Sequence, residues 1–564
     1  MLSYLPFRFV VTCVLTASLA GSPMLLSAQQ AAADVPAITI RTNTRLVVVD
    51  VVVTHKNGMP FADLKPEDFT LEENGKKQKI SVFVPPGIVN RAVSVAPAGV
   101  LSNHPENIVA AGVPIVLLLD ATNSAFKDQA YARSQMLKYV AEQGKTGRPM
   151  AILTLTDRLG VLQQFTSDPQ VLAPESHGAA DGPGLRATDS GIMAAAQAIQ
   201  AFADLQIGYN IERRTLITLD AMQALSRMLG GLPGRKNVVW LTSNLPFDLV
   251  PEDRAVTDAE LLADLPGQGR QRSVSVNAAG SQAAEQRQLY APQIRDAEAQ
   301  LASAGIAIYP VDLNGLVGGM ENSATRQGSV YSDTAFSDRA SGKLSALQST
   351  QGTMEEIAAE TGGKAYINQN EIKDGIALAA SDEKASYSLG YYPENKKWDG
   401  KMRGIKVKVG QGDTQLRYRK GYYAVGPGPA KDRNFEQDVA AALAVDAPAT
   451  QISFMAQAKP GDPGKIRVVF LVDAHTLTAE DSSGSKKMNV SLYATIWGSA
   501  DKSLAARSIK VDKTFDAATY QQILDHGMMV PIDMDVPTGG TELRLAVLDN
   551  KTGYIGTVSG PLGK

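Results

Sequence analysis

Pro114-Ile115-Val116-Leu117-Leu118-Leu119-Asp120-Ala121-Thr122-Asn123-Ser124 is the stretch that decides how this chain is read. Five apolar residues run without a break into an aspartate, and hydroxyls follow two and four positions later. A run that apolar reads as a strand buried on both faces. A carboxylate and two hydroxyls at the carboxyl end of such a strand stand where open α/β sheets bind ligands. They are hard oxygen donors of the kind Mg²⁺ or Ca²⁺ prefers. The same residues also fit an Asx-type turn that caps the next helix.

Outward from this stretch, strands alternate with helices. Residues 150–155, 160–165, 237–241, 306–311 and 386–391 read as strands. Phe126, Ala130, Leu137 and Ala141 form an apolar stripe on one helix, and Leu219, Met222, Leu225, Leu229 and Leu232 keep helical spacing on another. Gly230-Gly231 and Pro233-Gly234 stop that second helix. The alternation predicts an α/β domain over 113–395, with a doubly wound, mostly parallel sheet covered by helices on both faces. Segments 166–212, 251–285 and 315–350 read as loop insertions.

The flanks read as β. Residues 38–90 form an N-terminal β unit with a hairpin at Asn74-Gly75, and 403–425 add strands to the same base. Residues 91–112 read as a linker. Residues 450–564 alternate as an antiparallel β-sandwich, with Met488, Val490, Leu492, Ala494 and Ile496 pointing one way. Tyr387, Tyr391, Tyr392, Tyr422 and Tyr423 are expected to pack between the central sheet and the β base.

Residues 1–28 have the form of a secretory signal: Arg8, an apolar stretch over 9–19, and Leu26-Ser27-Ala28 before Gln29. The apolar stretch is broken at Gly21-Ser22-Pro23, so no integral membrane span is expected in the mature chain. The single cysteine, Cys13, lies inside this segment, which removes disulfides, zinc–thiolate sites and a cysteine nucleophile from the mature protein. An exported, periplasmic or extracellular protein is expected. There are 55 Lys and Arg against 58 Asp and Glu, a net charge of −3 with no long run of one sign, so an electrostatic grip on nucleic acid is not expected. No Gly-x-Ser-x-Gly elbow, His-Glu-x-x-His pair or phosphate-cradling glycine loop is present, and the expectation is a protein that is not an enzyme.

A set of ordered motifs resembles a known family. These are Asp68-Phe69 with Glu72-Glu73-Asn74-Gly75-Lys76, Asp120 to Ser124 with Asp128-Gln129-Ala130-Tyr131-Ala132-Arg133, and Arg214-Thr215-Leu216. Leu232-Pro233-Gly234-Arg235-Lys236-Asn237, Tyr309-Pro310-Val311-Asp312, Tyr387 to Pro393 and Arg419-Lys420-Gly421-Tyr422-Tyr423 complete the set. Over residues 40–425 the chain resembles von Willebrand factor type A domain proteins of the VWFA-related, acidobacterial type. Such domains often hold one divalent cation at a metal-ion-dependent adhesion site, where a partner protein's carboxylate completes the oxygen shell. The resemblance implies Asp120, Thr122 and Ser124 on a first loop and Thr215 or Thr218 on a second. On the third loop Ser243 stands where an aspartate belongs. With one carboxylate missing, Mg²⁺, Mn²⁺ or Ca²⁺ would be held weakly; Asp248 or Asp157 could compensate. The function this implies is protein binding or adhesion through a degenerate adhesion site. The alternatives are a metal-free structural or assembly factor of the cell envelope, and carbohydrate binding through the C-terminal sandwich.

Overall fold

The apolar run is the middle strand, Ile115–Asp120, of a five-stranded sheet. The order across the sheet is Ile306–Asp312, Lys236–Thr242, Ile115–Asp120, Met150–Leu155 and Leu159–Thr166. The first four run parallel; the last returns antiparallel, so only part of the sheet is parallel. The computed structural model describes residues 46–61, 63–87, 96–97, 99–108, 114–143, 149–166, 207–245, 290, 292–294, 296–315, 350–369, 371–424, 434–482, 484–499 and 502–562. The expected signal segment and nearly all of the three expected insertions lie outside these residues. Residues 207–212, expected as insertion, are the start of a helix, Ile207–Leu229.

Pleating sends alternate side chains to opposite faces. Val116, Leu118, Val238, Trp240, Ile306 and Ile308 meet Leu219, Met222, Leu225 and Leu229 of helix Ile207–Leu229, with Leu301 and Ile357 from two further helices. Leu117, Leu119, Val239, Leu241 and Val311 face helices Phe126–Gln143 and Ile372–Ser381. Each of these fully buried aliphatic side chains contributes about 1.5–3 kcal/mol. The buried stripe of helix Phe126–Gln143 is Ala132, Met136, Tyr139 and Val140. This differs from the expected stripe: Phe126 and Ala130 are exposed. Apolar residues occur around much of this helix, so spacing alone left its rotation open.

The β base is made of two four-stranded sheets. One orders Thr414–Arg417, Val47–His55, Ser386–Tyr391 and Ile80–Val84; the other orders Gly421–Tyr423, Met402–Val409, Phe69–Glu73 and Lys76–Gln78. Strand Ser386–Tyr391, placed by sequence in the alternating region, pairs here antiparallel to Val47–His55. The Asn74-Gly75 turn has positive φ at both residues, +48° and +79°, as a two-residue hairpin requires. Tyr387, Tyr391 and Tyr422 are buried inside this base rather than between it and the central sheet. Tyr391 and Tyr422 each donate to the buried carboxylate of Glu73, at 2.7 and 3.0 Å, and Arg403 pairs with Glu73 at 3.3 Å.

The C-terminal region is two packed antiparallel sheets, with Met488, Val490, Leu492, Ala494 and Ile496 in the core between them. Its first sheet takes Val100–Ser102 as an edge strand against Phe454–Pro460. The expected linker 91–112 therefore supplies part of this sheet. A three-residue strand carries no readable period, and its partner lies some 350 positions away. Buried Asn103 holds the seam: its Nδ2 donates to the carbonyls of Ala449 and Ile452, and its Oδ1 accepts from the Phe454 amide. Thr450 reaches the central region, where its amide donates to Arg227 O and its hydroxyl to Met228 O, each at 2.8 Å. These are carbonyls in the last turn of helix Ile207–Leu229, where the helix supplies no further amides of its own. A Cβ on Gly231 would lie 1.7 Å from Thr450 O, so that glycine admits a backbone as well as stopping a helix.

Candidate functional site

Going outward from Ile115–Asp120, the chain turns to helix Phe126–Gln143 on one face, the side of Met150–Leu155. The next strand, Lys236–Thr242, pairs on the other side. The order reverses between Asp120 and Thr242, the place in an open α/β sheet where a crevice forms. Alternation puts Asp120 on the same sheet face as Leu118, and Thr242 on the same face as Trp240.

Asp120 is 0% exposed. Its Oδ1 accepts from the Asn123 amide at 2.9 Å, the Asx turn that the spacing suggested. Its Oδ2 accepts from Asn123 Nδ2 at 2.9 Å, from Trp240 Nε1 at 3.0 Å and from Thr242 Oγ1 at 3.1 Å. Burial pushes the carboxyl above its ordinary range, and these donors pull against it. Asn123 Nδ2 also lies 3.1 Å from Thr218 Oγ1, while Asn123 Oδ1 accepts from Arg214 Nε at 3.3 Å. An acid on one side of the amide and an arginine on the other fix which way it points.

The remaining residues divide. Ser124 Oγ accepts from the Ser243 amide at 3.0 Å, and Ser243 Oγ donates to Asp128 Oδ2 at 3.0 Å. Asp120, Ser124, Thr218 and Ser243 thus belong to one connected edge. Thr122 turns aside: its hydroxyl meets the carbonyls of Leu155 and Thr156. Thr215 is buried three residues before Thr218 on the same helix. Asp157 is engaged by Thr156 Oγ1 at 3.0 Å, and Asp248 lies outside the described residues. The extra carboxylate at this edge is Asp128, quoted above among the family motifs but not as a ligand. Further along, Asp312 Oδ1 accepts from the Asn314 amide and Oδ2 from Gln351 Nε2 at 3.1 Å, while Asn314 Nδ2 donates to Ser243 O.

As arranged, these residues do not fit a divalent cation. Both oxygens of Asp120 already accept from protein donors. The Asn123 carboxamide brings an N–H, not an oxygen, between Asp120 and Thr218. Thr122 is committed elsewhere, and Asp128 reaches only Ser243. A hard dication needs about six oxygen ligands with enough charge to replace its water. Among the described residues no group of three or more His, Cys, Asp or Glu stands together as a metal set.

At the opposite end of the same strands lies a second buried polar network that sequence reading missed. Pro233-Gly234-Arg235-Lys236 does form a turn, with Gly234 at φ +72°, but both bases are buried. Arg235 donates to Tyr309 Oη at 2.9 Å, Gly362 O at 2.7 Å and Asn237 Oδ1 at 3.1 Å. Tyr309 Oη donates to Asp382 Oδ2 at 2.7 Å, and Arg417 pairs with the same carboxylate. Lys236 Nζ donates to Leu232 O at 2.8 Å; burial pushes its pKa down to about 8, with Asp50 opposing.

No family model matches the chain, and no curated protein matches it. Among solved structures, an aerotolerance-related membrane protein from Bacteroides fragilis and BatB from Bacteroides thetaiotaomicron are each 14% identical with a TM-score of 0.22. Each match covers 48% of this chain and, respectively, 100% and 98% of the other. An endonuclease/exonuclease/phosphatase from Beutenbergia cavernae is 9% identical over 32% of this chain and 38% of its own, with a TM-score of 0.13. Likeness at these scores carries no argument about function. Among the described residues no helix is long and apolar enough to cross a membrane.

Proposed function

We propose that this is an exported protein-binding module whose central sheet is a doubly wound, type A-like domain. In this reading the edge around Asp120, Ser124 and Ser243 docks a protein partner in the periplasm or outside the cell. The convergence of three chain segments at the point where strand order reverses carries the reading. Phe126, the first residue of the helix that follows the Asp120 loop, supports it. It is 53% exposed, and aromatic residues are enriched at the centres of protein interfaces. Export rests on the sequence of residues 1–28. The second reading is a structural factor of the envelope, favoured by the way Thr450 ties the C-terminal region to helix Ile207–Leu229.

The test is capture of partners from envelope extracts by wild type and by Phe126→Asp, with thermal melts confirming that both fold. The binding reading expects a specific partner retained by wild type and lost by the variant. Equal capture by both would overturn it in favour of the structural one.

A further inference from the structure

We infer that the Asn123 carboxamide stands in for a cation at this edge, so that one side chain sets the loop geometry a type A domain otherwise takes from a bound metal. The inference rests on reading this edge as type A-like, but not on the identity of any partner. A cation in such a place has two tasks: it balances the buried aspartate, and it ties the first loop to the second. Asn123 performs both. Its Nδ2 lies 2.9 Å from Asp120 Oδ2 and 3.1 Å from Thr218 Oγ1, so one NH₂ group donates both to the acid of the first loop and to the hydroxyl of the neighbouring helix. Its backbone amide takes Asp120 Oδ1 as well. The charge that a dication would bring is replaced by neutral donors, Trp240 Nε1 and Thr242 Oγ1 among them, with Arg214 behind the amide at Asn123 Oδ1.

The substitution at position 243 fits the same scheme. With the amide in place and no cation, an acid at position 243 would meet the Asp128 carboxylate that Ser243 Oγ now serves, and two like charges so placed repel. Ser243 removes that conflict. Its amide donates to Ser124 Oγ and its hydroxyl to Asp128 Oδ2, so the third loop is tied directly to the first loop and to the helix that follows it. Asn123 and Ser243 therefore work together: an amide stands where a metal would bridge the loops, and a hydroxyl rather than an acid stands at 243.

The test is metal titration of the full mature chain, by calorimetry with Mn²⁺ and Mg²⁺ and by thermal melts with metal or chelator. Wild type is expected to show no binding heat and no change in melting midpoint in either condition. The double variant Asn123→Ser/Ser243→Asp is expected to melt lower than wild type in chelator and to recover part of the loss in Mn²⁺, because metal that binds only the folded form stabilises it. Asn123→Ser alone is a milder variant for which a smaller Mn²⁺ recovery is expected. Saturable Mn²⁺ binding by wild type that Asp120→Ala abolishes would overturn the inference and leave the binding reading standing with a cation in it. Folded variants as silent to metal as wild type would overturn it too, since the amide would not be what keeps metal out. Loss of partner capture in Phe126→Asp is independent of both outcomes.

Discussion

At the carboxyl ends of the central strands, one buried acid, Asp120, is held by neutral donors from its own loop and from the strand beside it. At the amino ends, two buried bases, Arg235 and Lys236, lie among groups brought from far along the chain. Arg235 is tied by three hydrogen bonds and sits within an acid–tyrosine–arginine chain through Tyr309, Asp382 and Arg417. The acid end is open to one side, with Ser243 and Thr122 partly exposed. The basic end is closed. The donors differ in kind: neutral, short-range bonds at an edge can be rearranged, whereas a fork of guanidinium bonds in a sealed place holds its partners fixed.

Three measurements would break or sharpen this contrast. The largest effect is expected from Arg235→Ala, which leaves Tyr309, Gly362 and Asn237 without their donor in a buried place. Urea melts are expected to show a loss of about 3–5 kcal/mol. A loss no larger than that of a typical surface change would remove the structural role assigned to the basic end.

Next comes the pH response of Lys236. Its folded pKa of about 8 lies below the ordinary 10.5, so between those values the unfolded chain binds more protons than the folded one. Stability is therefore expected to rise with pH across that window, by about 3 kcal/mol in full. Lys236→Met is expected to abolish the rise, and an unchanged slope in that variant would assign it to another group.

The smallest effect belongs to Asp120. Its carboxyl is pushed upward by burial, so just above the ordinary carboxylate range the folded chain holds more protons than the unfolded one. Stability from this group is present at low pH and is lost as pH rises through the folded value, the opposite slope to that of Lys236. Asp120→Asn is expected to remove this falling contribution, so that stability rises more steeply with pH just above the ordinary carboxylate range. Asp120→Ala, which strands the Trp240 and Asn123 donors, is expected to cost about 1–3 kcal/mol. A shallower rise in Asp120→Asn would mean that the donors outweigh burial.

Much of the central sheet was legible in the sequence because buried strands advertise themselves as apolar runs, whereas Ser124, Ser243 and the pair Thr215 or Thr218 were named with Asp120 through the family resemblance. Asn123 could not be named that way, because it occupies a position that the motif leaves free, and its importance comes from what it touches. Trp240 was read only as core, although its indole N–H serves Asp120. Arg235 and Lys236 read only as part of a helix stop before the next strand, because Asp50, Tyr309, Asp382 and Arg417 arrive from segments that no local window contains. On helix Phe126–Gln143 the expected stripe began on the exposed side, at Phe126 and Ala130, since apolar residues around much of the helix let two stripes compete.

The Thr450 contact has a practical consequence for anyone who would dissect this molecule. Helix Ile207–Leu229 behaves as a lever: near one end it carries Arg214 and Thr218, and its far carbonyls are buttoned to a residue more than two hundred positions downstream. A fragment cut at the composition boundary near residue 425 would bare those carbonyls and leave Gly231 facing water where a backbone had been. Expressed alone, such a piece would report on a lever with a loose end.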